Sequence, residues 1–96
     1  MNGARLEFSK NEDRNRYEVR VGGKLAGFAE YIDMTGLSIF SHTEVFPEFE
    51  GEGVGSALAR FALDDARAEG IRQVQPLCPF IESWIDRHPE YKELVR

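Results

Sequence analysis

The sequence predicts an α+β fold, a curved and mostly antiparallel sheet of about five strands with a central helix and a C-terminal helix. Three observations support this prediction. Strand-like segments separated by turn residues fill residues 6–45, and a glycine-opened segment with helical apolar spacing follows them. A short apolar strand then leads into a second helical segment. The 96 residues, 42% of them hydrophobic, suffice for one core, so we expect a single domain over 1–96.

The first half of the chain is predicted to be a strand meander. Gly22 and Gly23 suit a two-residue hairpin turn that requires positive φ, and residues 33–36 provide a second turn. The four strands that these turns delimit are Leu6–Ser9, Arg16–Val21, Lys24–Ile32 and Leu37–Val45.

Alternation along the fourth strand assigns its side chains to two faces. One face is predicted to hold Leu37, Ile39, Ser41, Thr43 and Val45. The other is predicted to hold Ser38, Phe40, His42 and Glu44, so that His42 and Glu44 lie side by side.

The second half is predicted to be helical apart from one strand. Apolar residues at three-and-four spacing indicate a central helix that is opened by three glycines, runs to Glu69 and is capped by Gly70. A strand over Gln73–Leu77 should lie parallel to the fourth strand. Pro79 suits a first helical position, and Phe80–Arg87 should form the second helix, with Phe80, Ile81 and Trp84 in the core. One further turn is expected over Glu90–Val95.

Charge and cysteine content exclude several classes of function. A net charge of −5 and a pI near 5.0 argue against a nucleic-acid partner, which normally requires a clustered basic face. The single cysteine, Cys78, cannot form an internal disulfide, and residues 1–10 lack the apolar core of a signal peptide. No apolar run approaches the roughly 20 residues that cross a bilayer. We therefore expect a cytoplasmic protein without a membrane partner.

The segment between the fourth strand and the central helix contains three alternating glycines, Gly51, Gly53 and Gly55. A helix N-terminus offers unpaired N–H groups, and glycines let a phosphate approach them. No Lys followed by Ser or Thr comes after the last glycine, as a P-loop would require, and a preceding antiparallel meander does not suit a dinucleotide-binding unit. The loop is therefore either an anion site of another kind or simply a tight turn.

Residues Val45–Ser56 resemble the pyrophosphate loop of the GNAT superfamily of N-acetyltransferases. The segments Pro76–Phe80 and His88–Tyr91 are also similar to a small single-domain GNAT-like family. The resemblance implies a GNAT-like fold, acetyl-CoA as cosubstrate and an amine acceptor, either a small molecule or a protein. It also implies a cofactor-binding set, namely Val45, Glu50, Gly51, Glu52, Gly53, Val54, Gly55 and Ser56. A non-catalytic acetyl-CoA or CoA-binding module is the alternative, and a purely structural domain is a third.

Two departures from the superfamily pattern affect these expectations. Glu50 occupies the position where Gln or Arg is usual, and Glu52 lies inside the loop, so we expect weaker CoA binding. Only Lys10–Asn15 separates the first two strands, where full-length GNAT enzymes place two helices, and nothing after Val95 supplies their final hairpin. We therefore expect an acceptor side that is open or completed by a partner.

Three side chains are candidates for catalysis. Cys78 precedes a helix start, where the helix dipole favours thiolate, and the resemblance places it near the acetyl group; a buried structural cysteine is the alternative. His42, oriented by Glu44, suits proton transfer near neutral pH, either directly or on Cys78; a packed or surface histidine is the alternative. Tyr91 is the candidate acid for the leaving thiolate, or else fills the core beside Leu94. Two distant histidines and one cysteine lack metal-ligand spacing, so no metal is expected.

Overall fold

The structure, a computed structural model, describes residues 5–71 and 73–95. Its five strands form one sheet in the order β1-β2-β3-β4-β5. The strands are β1 (Leu6–Asn11), β2 (Arg16–Val21), β3 (Lys24–Met34), β4 (Leu37–Val45) and β5 (Gln73–Pro76). The helices are α1 (Val54–Ala68) and α2 (Pro79–Arg87), and two 3-10 helices cover Pro47–Phe49 and Pro89–Leu94. The predicted α+β class and the meander are confirmed. The Pro47–Phe49 turn was not predicted.

Strand pairing follows the turn chemistry of the sequence. β1 to β4 are antiparallel neighbours, and β5 pairs with β4 in parallel, as predicted. Gly22 and Gly23 both have positive φ, 58° and 86°, as the two-residue hairpin between β2 and β3 requires. β1 and β3 each extend two residues beyond their predicted ends, and β5 ends one residue earlier.

One face of the sheet is covered by α1. Phe61 of α1 stacks on Phe8 of β1 with ring centroids 5.0 Å apart, and the Tyr17 hydroxyl of β2 donates to Asp65 of α1 at 2.9 Å. The apolar spacing of α1 thus meets the inward residues of the strands, and Leu58, Ala62 and Leu63 are fully buried there. α2 packs beside α1 through Trp84, whose indole N–H donates to the Ser56 hydroxyl at 2.8 Å.

The predicted alternation of β4 is wrong at its centre. Tyr31 of β3 pairs with Phe40, whereas the preceding residue, Glu30, pairs with His42, so Ser41 is an extra residue at a bulge. Residues paired directly across strands share a face. Phe40 therefore faces α1 with Tyr31, and His42 points to the opposite side of the sheet.

Candidate functional site

β4 and β5 separate halfway along β4. Their register ends at Phe40 and Pro76, although β4 continues to Val45. The Phe40 carbonyl accepts from two successive N–H groups, those of Leu77 and Cys78, both at 3.0 Å. The chain then turns into α2. Beyond Phe40, β4 therefore has an edge that β5 does not cover, and a wedge opens between this edge and α2.

The glycine loop closes one side of this wedge. After the 3-10 turn at Pro47–Phe49, Gly53 adopts the left-handed conformation at φ 78° and becomes the N-cap of α1. Within the described part of the chain, no backbone N–H from Gly51 to Ser56 donates to a backbone carbonyl. Ala57 is the first to do so, to Gly53 at 3.1 Å. These free donors lie at the positive end of a fifteen-residue helix, where they could hold an anion.

The wedge and the loop enclose a groove of about 380 Å³. Seven of the eight predicted cofactor-binding residues line it; Glu52 does not. Four lining residues were not predicted to bind the cofactor: Thr43, Phe49, Phe80 and Arg87. Phe80 corrects a specific expectation, since it is 37% exposed rather than in the core, whereas Ile81 and Trp84 are fully buried.

Thr43 and Gly55 mark the floor of the groove. The Thr43 hydroxyl is buried and has no hydrogen-bond partner among the described residues. Such a group is costly unless something else satisfies it, so a bound ligand with a polar atom would stabilise this position. A Cβ on Gly55 would come within 2.9 Å of the Phe80 ring and 3.2 Å of Val45. Glycine is therefore needed for α1, α2 and β4 to meet here.

Cys78 lies at the point where the strands separate. It is the residue before α2, it is 5% exposed, and its N–H is one of the two that bind Phe40. The thiol is free and belongs to the core cluster, and Cys78 is not among the residues that line the groove. The structure thus places it at the inner end of the wedge, outside the set of lining residues.

His42 lies on the opposite side of the sheet from α1. Its side chain is 55% exposed, and its Nε2 is 3.4 Å from the Glu44 carboxylate. Its ring is 6.1 Å from that of Phe28. His42 and Glu44 thus lie side by side, but on the face away from the groove.

Tyr91 lies against α1, outside the set of groove-lining residues. It is 3% exposed, and its hydroxyl donates to Asp64 at 2.6 Å and accepts from Arg60 at 3.1 Å. Burial and the Asp64 carboxylate raise the pKa of Tyr91. Leu94 is buried as well. The structure does not bring Tyr91 together with Cys78 and His42.

Other features bear on what the molecule can bind. Within residues 5–71 and 73–95, no group of three or more His, Cys, Asp or Glu side chains converges as metal ligands would. None of the helices in this part of the chain is both long and apolar enough to cross a membrane.

A family model matches most of the chain. The model described as GCN5-related N-acetyl-transferase aligns with residues 16–94, which include β2, the glycine loop, both α-helices and Cys78. No curated protein sequence matches.

Three solved structures that are named as acetyltransferases have the same fold. The ribosomal-protein-S18-alanine N-acetyltransferase from Escherichia coli superposes with a TM-score of 0.59 at 22% identity, over 62% of this chain and 38% of that one. A ribosomal-protein-alanine N-acetyltransferase from Brucella melitensis biovar Abortus 2308 superposes with a TM-score of 0.61 at 24% sequence identity, over 88% of this chain and 64% of that one. Nourseothricin acetyltransferase superposes with a TM-score of 0.53 at 19% sequence identity, over 92% of this chain and 67% of that one. The chain thus spans less than two thirds of the length of the first two, and at these identities the likeness establishes the fold.

Proposed function

The chain belongs to the GCN5-related N-acetyl-transferase family, and on that premise we propose that it transfers an acetyl group from acetyl-CoA to an amine. The observation that carries the proposal is the groove where β4 leaves β5, with six consecutive free N–H groups at one side. A pyrophosphate fits such donors because it is a dianion that accepts several hydrogen bonds. The rest of the ligand would run along the uncovered edge of β4 toward Cys78.

The chemistry requires a neutral amine and a protonated leaving thiolate. In direct transfer, the amine nitrogen attacks the thioester carbonyl, the carbon–sulfur bond breaks, and the proton lost by the amine is available to the CoA thiolate. We propose His42 as the group that takes the proton, because it is exposed and next to Glu44 on the face that an acceptor can reach. The acceptor would then approach from the side of the sheet away from α1.

A covalent route assigns Cys78 as the nucleophile. Its thiolate would attack acetyl-CoA, form an acetyl-cysteine thioester and release CoA, and the amine would then attack that thioester. The position of Cys78 at the inner end of the wedge supports this route, and its burial opposes it.

A non-catalytic CoA-binding module is the second candidate. The observation that favours it is the placement of Tyr91, whose hydroxyl is engaged by Asp64 and Arg60 instead of facing the groove. On this alternative, acetyl-CoA binds and no amine is acetylated.

Two measurements test these proposals. Calorimetric titration with acetyl-CoA and with CoA should show saturable binding, and an acetylation screen over small amines and peptides should show transfer. His42→Gln is expected to lower the transfer rate far more than it weakens acetyl-CoA binding, because a proton-transfer group acts in the transition state. Binding without transfer to any amine would favour the module, and absence of binding would refute both.

Mass spectrometry of the protein with acetyl-CoA alone separates the two catalytic routes. An adduct of one acetyl group that Cys78→Ser abolishes supports the covalent route. Full transfer by Cys78→Ala, without an adduct in the wild type, supports direct transfer and leaves Cys78 a core residue.

A further inference from the structure

One cationic side chain, that of Arg87, lines the groove, and it belongs to α2 rather than to the glycine loop. Arg87 lies in the last turn of α2 and lines the groove together with the loop residues. Arg87 is seven positions after Phe80, which is close to two helical turns, so both side chains project from the same face of α2. That face meets α1, because Phe80 borders Gly55 and Trp84 binds Ser56.

The guanidinium of Arg87 is held in place and still has donors to offer. Its Nη1 donates to the Ser83 hydroxyl at 2.7 Å, one turn earlier on α2. No carboxylate of the described residues forms an ion pair with it. Since a guanidinium carries five N–H donors, four remain for a planar or tetrahedral anion.

The acidic character of the loop gives such a cation a role. Glu50 lines the groove and Glu52 is exposed beside it, so the loop itself places two carboxylates near a ligand that carries several phosphate charges. Of the eleven lining residues, Arg87 alone is a cation. Backbone donors can bind a phosphate, but they carry only partial charges against the full charges of these two carboxylates.

We propose that Arg87 binds a phosphate of the coenzyme and so takes the place of the basic or amide side chain that Glu50 replaces in the loop. This inference rests on the proposed function, because the phosphate belongs to acetyl-CoA. The cation that contacts the phosphate then belongs to α2 rather than to the loop, so CoA binding depends on the packing of α2 beside α1. Two phosphate groups of the ligand share the required chemistry, the pyrophosphate and the 3′-phosphate of the ribose.

The test is calorimetric titration of CoA and of dephospho-CoA into the wild type, Arg87→Gln and Arg87→Lys. Arg87→Gln should weaken CoA binding about tenfold and flatten its salt dependence, since one charge-assisted contact at an exposed site is lost. Arg87→Lys should retain part of the affinity because the charge remains while the two-pronged geometry does not. Both variants should keep the wild-type unfolding midpoint, as the side chain is exposed.

Dephospho-CoA distinguishes the two phosphates. If Arg87 binds the 3′-phosphate, the wild type and Arg87→Gln bind dephospho-CoA equally; if it binds the pyrophosphate, the variant loses affinity for both ligands alike. Arg14→Gln removes a charge from the exposed β1–β2 turn and should bind CoA as the wild type does.

Wild-type affinity for CoA in Arg87→Gln would overturn the inference while leaving the glycine-loop site intact. Failure of the wild type to bind CoA at all would refute the proposed function itself, so the two failures are distinguishable.

Discussion

Gly53 combines two properties that only glycine can satisfy together at the start of α1. Its φ of 78° is left-handed, and a Cβ placed on it would meet no protein atom within 4 Å. The space beside it is therefore open to a ligand rather than filled by packing. Its N–H is one of the six free donors between Gly51 and Ser56, and Gly53 itself lines the groove.

Gly53→Val is expected to abolish CoA binding, since the branched side chain would occupy the space where a phosphate meets the amides. The left-handed φ adds a folding cost of about 1–2 kcal/mol. Gly36→Val is the matched control: Gly36 has φ 71° in the β3–β4 turn and equally open surroundings, but lies outside the groove. Calorimetry with CoA should find binding lost in the first variant only. Equal affinity in both would refute the loop as the binding site.

At the scale of elements, the sequence predicted burial most accurately where a single side-chain period holds along the whole helix or strand. The three-and-four spacing of α1 placed Leu58 and Ala62 in the core, and both are fully buried. β4 was predicted with its observed ends. Alternation alone did not reveal the extra residue at Ser41, because the adjacent residues Ile39 and Phe40 are both apolar and do not mark which of them faces the core. Arg87 and Phe80 could not be assigned to the groove, because their position depends on how α2 docks beside α1.

Tyr91 holds the C-terminal 3-10 helix against α1. Its ring packs edge-on against Trp84 at 5.0 Å, and its hydroxyl bonds Asp64 and Arg60. The two elements it joins are distant in sequence. The sequence left open that Tyr91 fills the core beside Leu94, and these contacts support that alternative.

Tyr91→Phe should lower the unfolding free energy by about 1.5–3 kcal/mol, because a hydrogen bond to a charged group is lost and Asp64 loses a buried partner. The acetyl-transfer rate should remain that of the wild type. Tyr31→Phe serves as the control, since Tyr31 is also buried and its hydroxyl forms no hydrogen bond with another described residue. Denaturant unfolding and initial rates measure the two effects. A lost rate with unchanged stability would instead make Tyr91 the acid.

At the scale of the whole molecule, the two faces of the sheet differ in kind. One is packed under α1 and α2, whereas the other leaves Ile32 and Met34 more than half exposed. The sequence predicted an acceptor side that is open or completed by a partner, because only Lys10–Asn15 separates the first two predicted strands; in the structure the β1–β2 connection is residues 12–15. On the face away from α1, the buried carboxylate of Glu18 accepts hydrogen bonds from Arg16 and Arg20.

Glu18 connects this face to the stability of the whole fold. Its side chain is 5% exposed, and it accepts from Arg16 at 2.8 Å, Arg20 at 2.9 Å and Asn11 at 3.0 Å. Burial is the largest single influence and raises the pKa of Glu18. The three hydrogen bonds and the Arg16 charge together outweigh it and lower that pKa from 4.5 to about 2.

Because the folded pKa lies below the unfolded one, Glu18 stabilises the fold fully above about pH 4.5, and this stabilisation is lost as the pH falls toward 2. Glu18→Gln should therefore lower the unfolding free energy at pH 7 by on the order of 2–3 kcal/mol, and the difference from wild type should narrow between pH 4.5 and 2. Denaturant unfolding over this range measures it. Glu12→Gln, an exposed charge change in the neighbouring turn, should show a small and constant difference. If the Glu18→Gln curve instead runs parallel to that of the wild type at every pH, the ionisation of Glu18 does not contribute to the pH dependence of stability, and the acid sensitivity of the fold must come from other carboxylates.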